Sequence, residues 1–198
     1  MRKSLLLIFV LFLGCGGDSG SGQCGSFTPC GGVIVGTWSV TEYCSNLTGS
    51  SSSPCPGMTA NTSHVQMKGT FTFTSSGTYS VATTATGTES VTYPQSCLTS
   101  LNTTCAQAGT ALSAGSGGIS GSCQSNANGD CACTENITNA PSTEQGTYTT
   151  SGSSIAMLKT GSTTTTGSIE YCVQGNTLTL QATSSTFNGS TTLVATRQ

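Results

Sequence analysis

The sequence predicts an all-β fold: an antiparallel up-and-down β-barrel of about 8–9 strands with a disulfide-rich helix and loop insertion. Three observations predict it. Apolar residues alternate with Ser and Thr at period two in short stretches between Val33 and Arg197. Clusters of Gly, Ser and Asn separate those stretches and supply tight turns. Eleven cysteines occur in a chain of 198 residues, a density that suits a disulfide-stapled exported domain.

The first stretch runs from Val33 to Cys44, with Ile34, Trp38 and Val40 on one face and Thr37 and Ser39 on the other. Residues 45–64 lose the pattern, carry Pro54, Pro56 and Gly57, and read as a loop. Lys68 to Thr74 and Thr78 to Thr83 flank the turn Ser75, Ser76, Gly77, a hairpin in which Phe71 and Phe73 share one face and Tyr79 and Val81 another. Glu89 to Tyr93 is a further strand, ended by Pro94. Patterning resumes at Gln145, with Tyr148, then Ile155 and Met157 beyond the turn at Gly152. Ile169, Tyr171 and Val173 precede the turn at Gly175, Leu178 and Leu180 follow it, and Thr191 to Arg197 is the last strand. Closure into a barrel removes sheet edges. A two-sheet sandwich satisfies the same alternation.

Between Gln95 and Leu112 the period changes. Cys97, Leu101, Cys105, Ala108 and Leu112 recur every three or four residues, which predicts one amphipathic helix. On such a helix Cys97 and Cys105 stand about 12 Å apart, beyond the ~7 Å reach of a disulfide, so each must bond elsewhere. Ser113 to Asn139 is rich in Gly, Ser and Asn and reads as loop. Residues 94–144 are therefore expected to be an insertion, stapled to itself and to the domain.

The N-terminus begins Met1, Arg2, Lys3, continues apolar from Leu5 to Leu13, and reaches Gly14 and Cys15. A basic start, a short apolar run and a small residue describe a secretory signal, and the run falls short of the roughly 20 residues that span a bilayer. Phe12 to Cys15 resembles the bacterial lipoprotein signal. That resemblance implies a signal peptide over 1–14, a lipid on Cys15, a membrane anchor, and a flexible tether over 15–32 carrying the domain 33–198. Gly16 after the lipidated cysteine resembles the signal for the outer membrane of a bacterial envelope. Seven acidic residues then face Lys68, Lys159 and Arg197, a balance that excludes nucleic acid as a partner.

Lipidation of Cys15 leaves ten cysteines, Cys24, Cys30, Cys44, Cys55, Cys97, Cys105, Cys123, Cys131, Cys133 and Cys172, enough for five disulfides. Glu42, Tyr43, Cys44 and Glu170, Tyr171, Cys172 echo each other on strands near opposite ends of the chain, so a Cys44–Cys172 bridge would close the domain. Cys24 and Cys30 flank a short loop and could pair locally. Metal is not expected: Cys131 and Cys133 lack partners at zinc spacing, and the single histidine, His64, is distant.

Gly36 and Trp38 open the first strand, and Arg197 closes the last. This resembles the lipocalins, where Gly-x-Trp begins an eight-stranded barrel and a late Arg packs across the Trp at the closed end. The hairpin from Tyr171 to Leu178 resembles the late hairpin of bacterial lipocalin-like lipoproteins. The resemblance implies that Arg197 covers Trp38, a cation–π contact of about 0.5–2 kcal/mol.

No nucleophile–base pair or recognised catalytic motif occurs. Glu42 and Glu170 could meet as acid and base, and read better as solvent-facing strand residues. No catalytic residue and no cofactor are therefore expected. The expected function is binding of a small apolar ligand inside the barrel, against Trp38, Phe71, Phe73, Tyr79, Tyr148, Met157, Tyr171 and Leu180. A structural or adhesive surface protein, or a partner-binding module with a filled barrel, is the alternative.

Overall fold

The computed structural model describes residues 26–49, 55–165, 168–183 and 187–198; the signal segment, Cys15 and Cys24 lie outside the described residues. The fold is all-β and antiparallel. Its described strands are β1 (Gly36–Gly49), β2 (Thr59–Phe73), β3 (Thr78–Tyr93), β4 (Ile119–Ser125), β5 (Cys131–Ser151), β6 (Ser154–Lys159), β7 (Ile169–Gln174), β8 (Thr177–Thr183) and β9 (Phe187–Arg197). They form one sheet in the order β3-β2-β1-β9-β8-β7-β6-β5-β4, and an added β3–β5 pairing closes it into a ring. Each hairpin partner is a sequence neighbour except where β9 returns to β1 and β3 meets β5, so the ring is a meander wound once round.

Trp38, Phe73, Ile155, Leu178 and Val65 are at most 1% exposed and belong to one buried cluster. Each contributes roughly 1.5–3 kcal/mol by leaving water. The opposite faces of the strands carry Thr and Ser; β3 exposes Thr84, Thr86 and Thr88 while burying Tyr79, Thr83 and Ala85. Threonine is a good strand former, which lets a wall with few charges stay regular.

Several elements differ from the sequence reading. The stretches at 78–83 and 89–93 are one continuous strand, β3. β2 begins at Thr59, within the segment read as loop, and β4 lies in the Gly/Ser/Asn-rich stretch. β5 begins at Cys131 rather than Gln145 and pairs with β3 along most of its length. Glu, Cys, Gly and Ala take many of the inward positions of these added pieces, and Val65 and Ile137 are too isolated for apolar alternation to reveal the strands. The extra length of β5 is taken up by a bulge at Thr138 and Asn139, where Asn139 has φ 46°.

The single expected helix is two, α1 (Gln95–Ser100) and α2 (Cys105–Ser113). The break is encoded locally. The Thr104 hydroxyl accepts from the Gln107 N–H while the Gln107 side chain accepts from the Thr104 N–H, a reciprocal cap that starts a new helix. α2 packs on β4, and Gly109 permits the approach: a Cβ there would lie 3.3 Å from the Cys123 nitrogen.

Four disulfides lie among the described residues: Cys30–Cys172, Cys55–Cys97, Cys105–Cys131 and Cys123–Cys133. Cys97 and Cys105 each bond elsewhere, although they lie on two helices and not on the single one from which that was expected. The suggested Cys44–Cys172 and Cys24–Cys30 pairs do not form, because Cys30 and Cys172 are bonded to each other. The reason is a backbone docking that no local pattern announces. The Cys30 and Gly31 N–H groups donate to the Tyr171 carbonyl at 3.1 and 3.0 Å, and the Val173 N–H donates to the Gly31 carbonyl at 2.8 Å. Residues 30–32, read as the end of a tether, are thereby fixed to β7. Cys44 is also disulfide-bonded.

Candidate functional site

The eight residues proposed to line a ligand site all lie in or against one cluster: Trp38, Phe73, Tyr79, Met157, Tyr171 and Leu180 in the buried core, with Phe71 and Tyr148 packed on it. Phe73 meets Tyr148 edge-on at 5.0 Å between ring centres. Their polar tips are spoken for. The Tyr148 hydroxyl donates to the Thr74 carbonyl at 2.9 Å, the Tyr171 hydroxyl to the Gly32 carbonyl at 3.1 Å, and the Tyr79 hydroxyl to Glu144, which also faces Lys159 at 3.7 Å.

The first and last strands meet at one end of this cluster. Trp38 and Arg197 are register partners across β1 and β9, and the guanidinium carbon stands 4.4 Å from the indole centre. Arg197 also donates to the carbonyls of Val35 and Val33 at 3.0 and 3.2 Å, and the Trp38 indole N–H donates to the Ile34 carbonyl at 2.7 Å. Gly36 is required here: its φ is 144°, and a Cβ would lie 3.0 Å from the guanidinium. Replacing Arg197 with Met should lower stability by about 1–2 kcal/mol in urea unfolding, with Lys restoring only part, because Lys keeps the charge and loses the planar fork. An unchanged midpoint in the Met variant would show that the contact contributes nothing.

The other end of β2, β3 and β5 holds a feature that the sequence reading missed. Along the β3–β5 register, Gly87 faces Ile137, Glu89 faces Glu135, Val91 faces Cys133 and Tyr93 faces Cys131. Glu89 and Glu135 are buried, at 6% and 5% exposure. Period two puts Glu89 on the same side as buried Tyr79, Ala85 and Val91, which is the inside of the ring. On one side of the pair lie Val65, Ala85 and Ile137 of the main core. On the other lie two smaller apolar clusters, Leu98, Cys105, Leu112, Cys131 and Cys133, and Cys55, Met58, Val91 and Cys97. Three disulfides run through those clusters and fasten α1, α2, β4 and the segment at Cys55 over this end. The carboxylates thus form a polar layer between two apolar ones.

Neither carboxylate receives a hydrogen bond from a described residue. Side-chain oxygens and nitrogens that are wholly sealed from water do all have partners in the described structure, so these carboxylate oxygens border a space that water can touch. Burial, and then the neighbouring Glu135 charge, push the Glu89 carboxyl up from 4.5 to about 8; burial also raises Glu135. The Tyr93 phenol nearby is raised by burial and by both carboxylates. Beyond these, α1, α2 and β4 carry no ionisable side chain other than disulfide-bonded cysteines. His64 of β2 is the backbone partner of Thr88, next to Glu89. The signal available in the sequence was an acid placed in phase with Val91 and Tyr93, and a second in phase with Cys131 and Cys133.

The two acids weighed earlier do not meet. Glu42 lies on β1 and Glu170 on β7, with β9 and β8 between them, and Glu170 accepts from the Ser153 and Ser154 hydroxyls at 3.2 and 2.6 Å. The sulfurs of Cys123, Cys131 and Cys133 gather within 4.8 Å of one another. All three are held in disulfides, which removes the thiolates that a metal would need. Compared with known families, characterised proteins and solved structures, the chain finds no match.

Proposed function

We propose that the chain is a lipid-anchored lipoprotein of a bacterial envelope, whose ring is a lipocalin-like β-barrel that takes up a small hydrophobic ligand. The observation that carries the reading is Arg197 lying over Trp38 beside Gly36, the arrangement by which lipocalins close one end of their barrel. A barrel sealed at that end would accept a ligand from the other, with Trp38, Phe71, Phe73, Tyr79, Tyr148, Met157, Tyr171 and Leu180 as its apolar floor. Native mass spectrometry of protein taken gently from its own envelope tests this. A discrete extra mass that leaves on denaturation is expected, and a bare polypeptide-plus-lipid mass would retire the ligand.

A second reading is supported by the dense packing of those same residues, Phe73 on Tyr148 among them. In it the barrel is filled by its own side chains, and the protein is a structural, adhesive or partner-binding component of the surface.

The lipid anchor has its own test in the cysteines. Eight are consumed in the four bridges named above and Cys44 is bonded as well. If Cys15 carries lipid, Cys24 is the tenth cysteine, and non-reducing peptide mapping should recover Cys24 linked to Cys44. Recovery of Cys15 linked to Cys44 would rule the anchor out.

A further inference from the structure

We propose that Glu89 and Glu135 form a receiving site for a protonated amine carried on an apolar small molecule. The inference rests on the ligand-binding reading above and names the chemistry of the ligand.

Two carboxylates directly opposite on neighbouring strands repel each other, and burying either without a donor costs stability. Among the described side chains only the proton that Glu89 itself retains offsets that cost. No cation and no hydrogen-bond donor among the described residues reaches the pair, and both side chains are at least nine-tenths buried on the inner face of the ring. Their oxygens nonetheless border a space water can touch. A group that fits must bring its own positive charge and several donors, and must be small. An ammonium has three N–H donors on a compact head, and buried Val91 and Ile137 flank the pair, so that its surroundings are apolar. A metal ion suits the site poorly. Calcium requires about 6–8 oxygen ligands, and here two carboxylates stand among aliphatic groups and disulfide sulfurs.

The fold also leaves one side of this layer without a strand. The edge of β5 that carries β6 near Ser151 carries β4 near Cys131, and the far edge of β4 pairs with no described strand. α2 packs on β4, and its Cys105 is bonded to Cys131 of β5. A small amphiphile could therefore approach the pair from beside β4 without opening the Trp38 end.

The test compares n-decylamine with n-decanol, which share a chain and differ in the head, by isothermal titration against the full-length protein at pH 7.5. The amine is expected to bind at least about tenfold more tightly than the alcohol, equivalent to about 1.4 kcal/mol. The double variant Glu89→Gln/Glu135→Gln should bring the two affinities to within about twofold, since an amide keeps the shape and loses the charge, and each single variant should lie between the double variant and the parent. Unfolding midpoints at or above the parent's would show that the variants are folded. Equal affinities in the parent, or an amine preference that survives in the double variant, would overturn the proposal while leaving an apolar site intact. Binding of neither probe would overturn this proposal and the ligand-binding reading together.

Discussion

Stability is expected to fall by about 3–4 kcal/mol as pH rises from 5 to 8, and Glu89→Gln is expected to abolish most of that fall. The Glu89 carboxyl holds its proton up to about 8 in the folded protein, against 4.5 for the exposed group. Below pH 4.5 both states are protonated and the contribution is complete. Between 4.5 and 8 the unfolded chain releases the proton while the folded one retains it, so folding is penalised progressively at about 1.4 kcal/mol per pH unit. Glu135, raised by burial, acts in the same direction, and no described cation offsets either. Urea unfolding at pH 5 and pH 8 measures the difference directly. At pH 8 the Glu89→Gln variant should be more stable than the parent, the reverse of what most buried substitutions do. A parent whose stability is flat or rises over this interval would mean that the carboxylates have found donors in the folded state.

Trp38→Ala should cost about 3–5 kcal/mol, the range for deleting a fully buried aromatic. Trp38 is 0% exposed. Its loss opens a large void against Phe71, strips the Ile34 carbonyl of its 2.7 Å donor and leaves the Arg197 guanidinium over nothing. Trp38→Phe keeps an aromatic face for the guanidinium and should recover about half. Combining Trp38→Ala with Arg197→Met should cost less than the two single losses added, because the contact between them is removed once. Strict additivity in that double-mutant cycle would show that the two residues act independently.

The parts of the fold legible in the sequence are those where apolar residues mark the inner face. Phe71, Phe73, Tyr79, Ile155, Tyr171 and Leu178 announced their strands because water penalises each if it faces outward. The resemblance to lipocalins, read from Gly36, Trp38 and Arg197, anticipated a contact between residues 159 positions apart that alternation alone cannot supply. What stayed hidden was the part of the ring where large apolar residues are sparse on the inner face. Gly87, Glu89, Cys131, Cys133 and Glu135 line β3 and β5 there, and their strands are held by neighbours and by three disulfides rather than by their own burial of oil. For the same reason the candidate site was overlooked: a glutamate in a polar-looking stretch is ordinarily solvated, and only the β3–β5 register brings Glu89 opposite Glu135. The disulfide pairs were hidden too, since Cys30 reaches Cys172 through docking of residues 30–32 on β7 and not through any spacing.

That docking decides how the molecule bears a load. Load that travels along the backbone from Ser26 reaches Cys30 before β1 and passes through a covalent bond into the middle of the wall at Cys172, shared with three backbone hydrogen bonds to Tyr171 and Val173. The segment from Gly32 to Gly36, and Trp38 beyond it, sit downstream of that fastening and remain slack. Tension that would peel an ordinary edge strand one hydrogen bond at a time is here carried by a sulfur clamp.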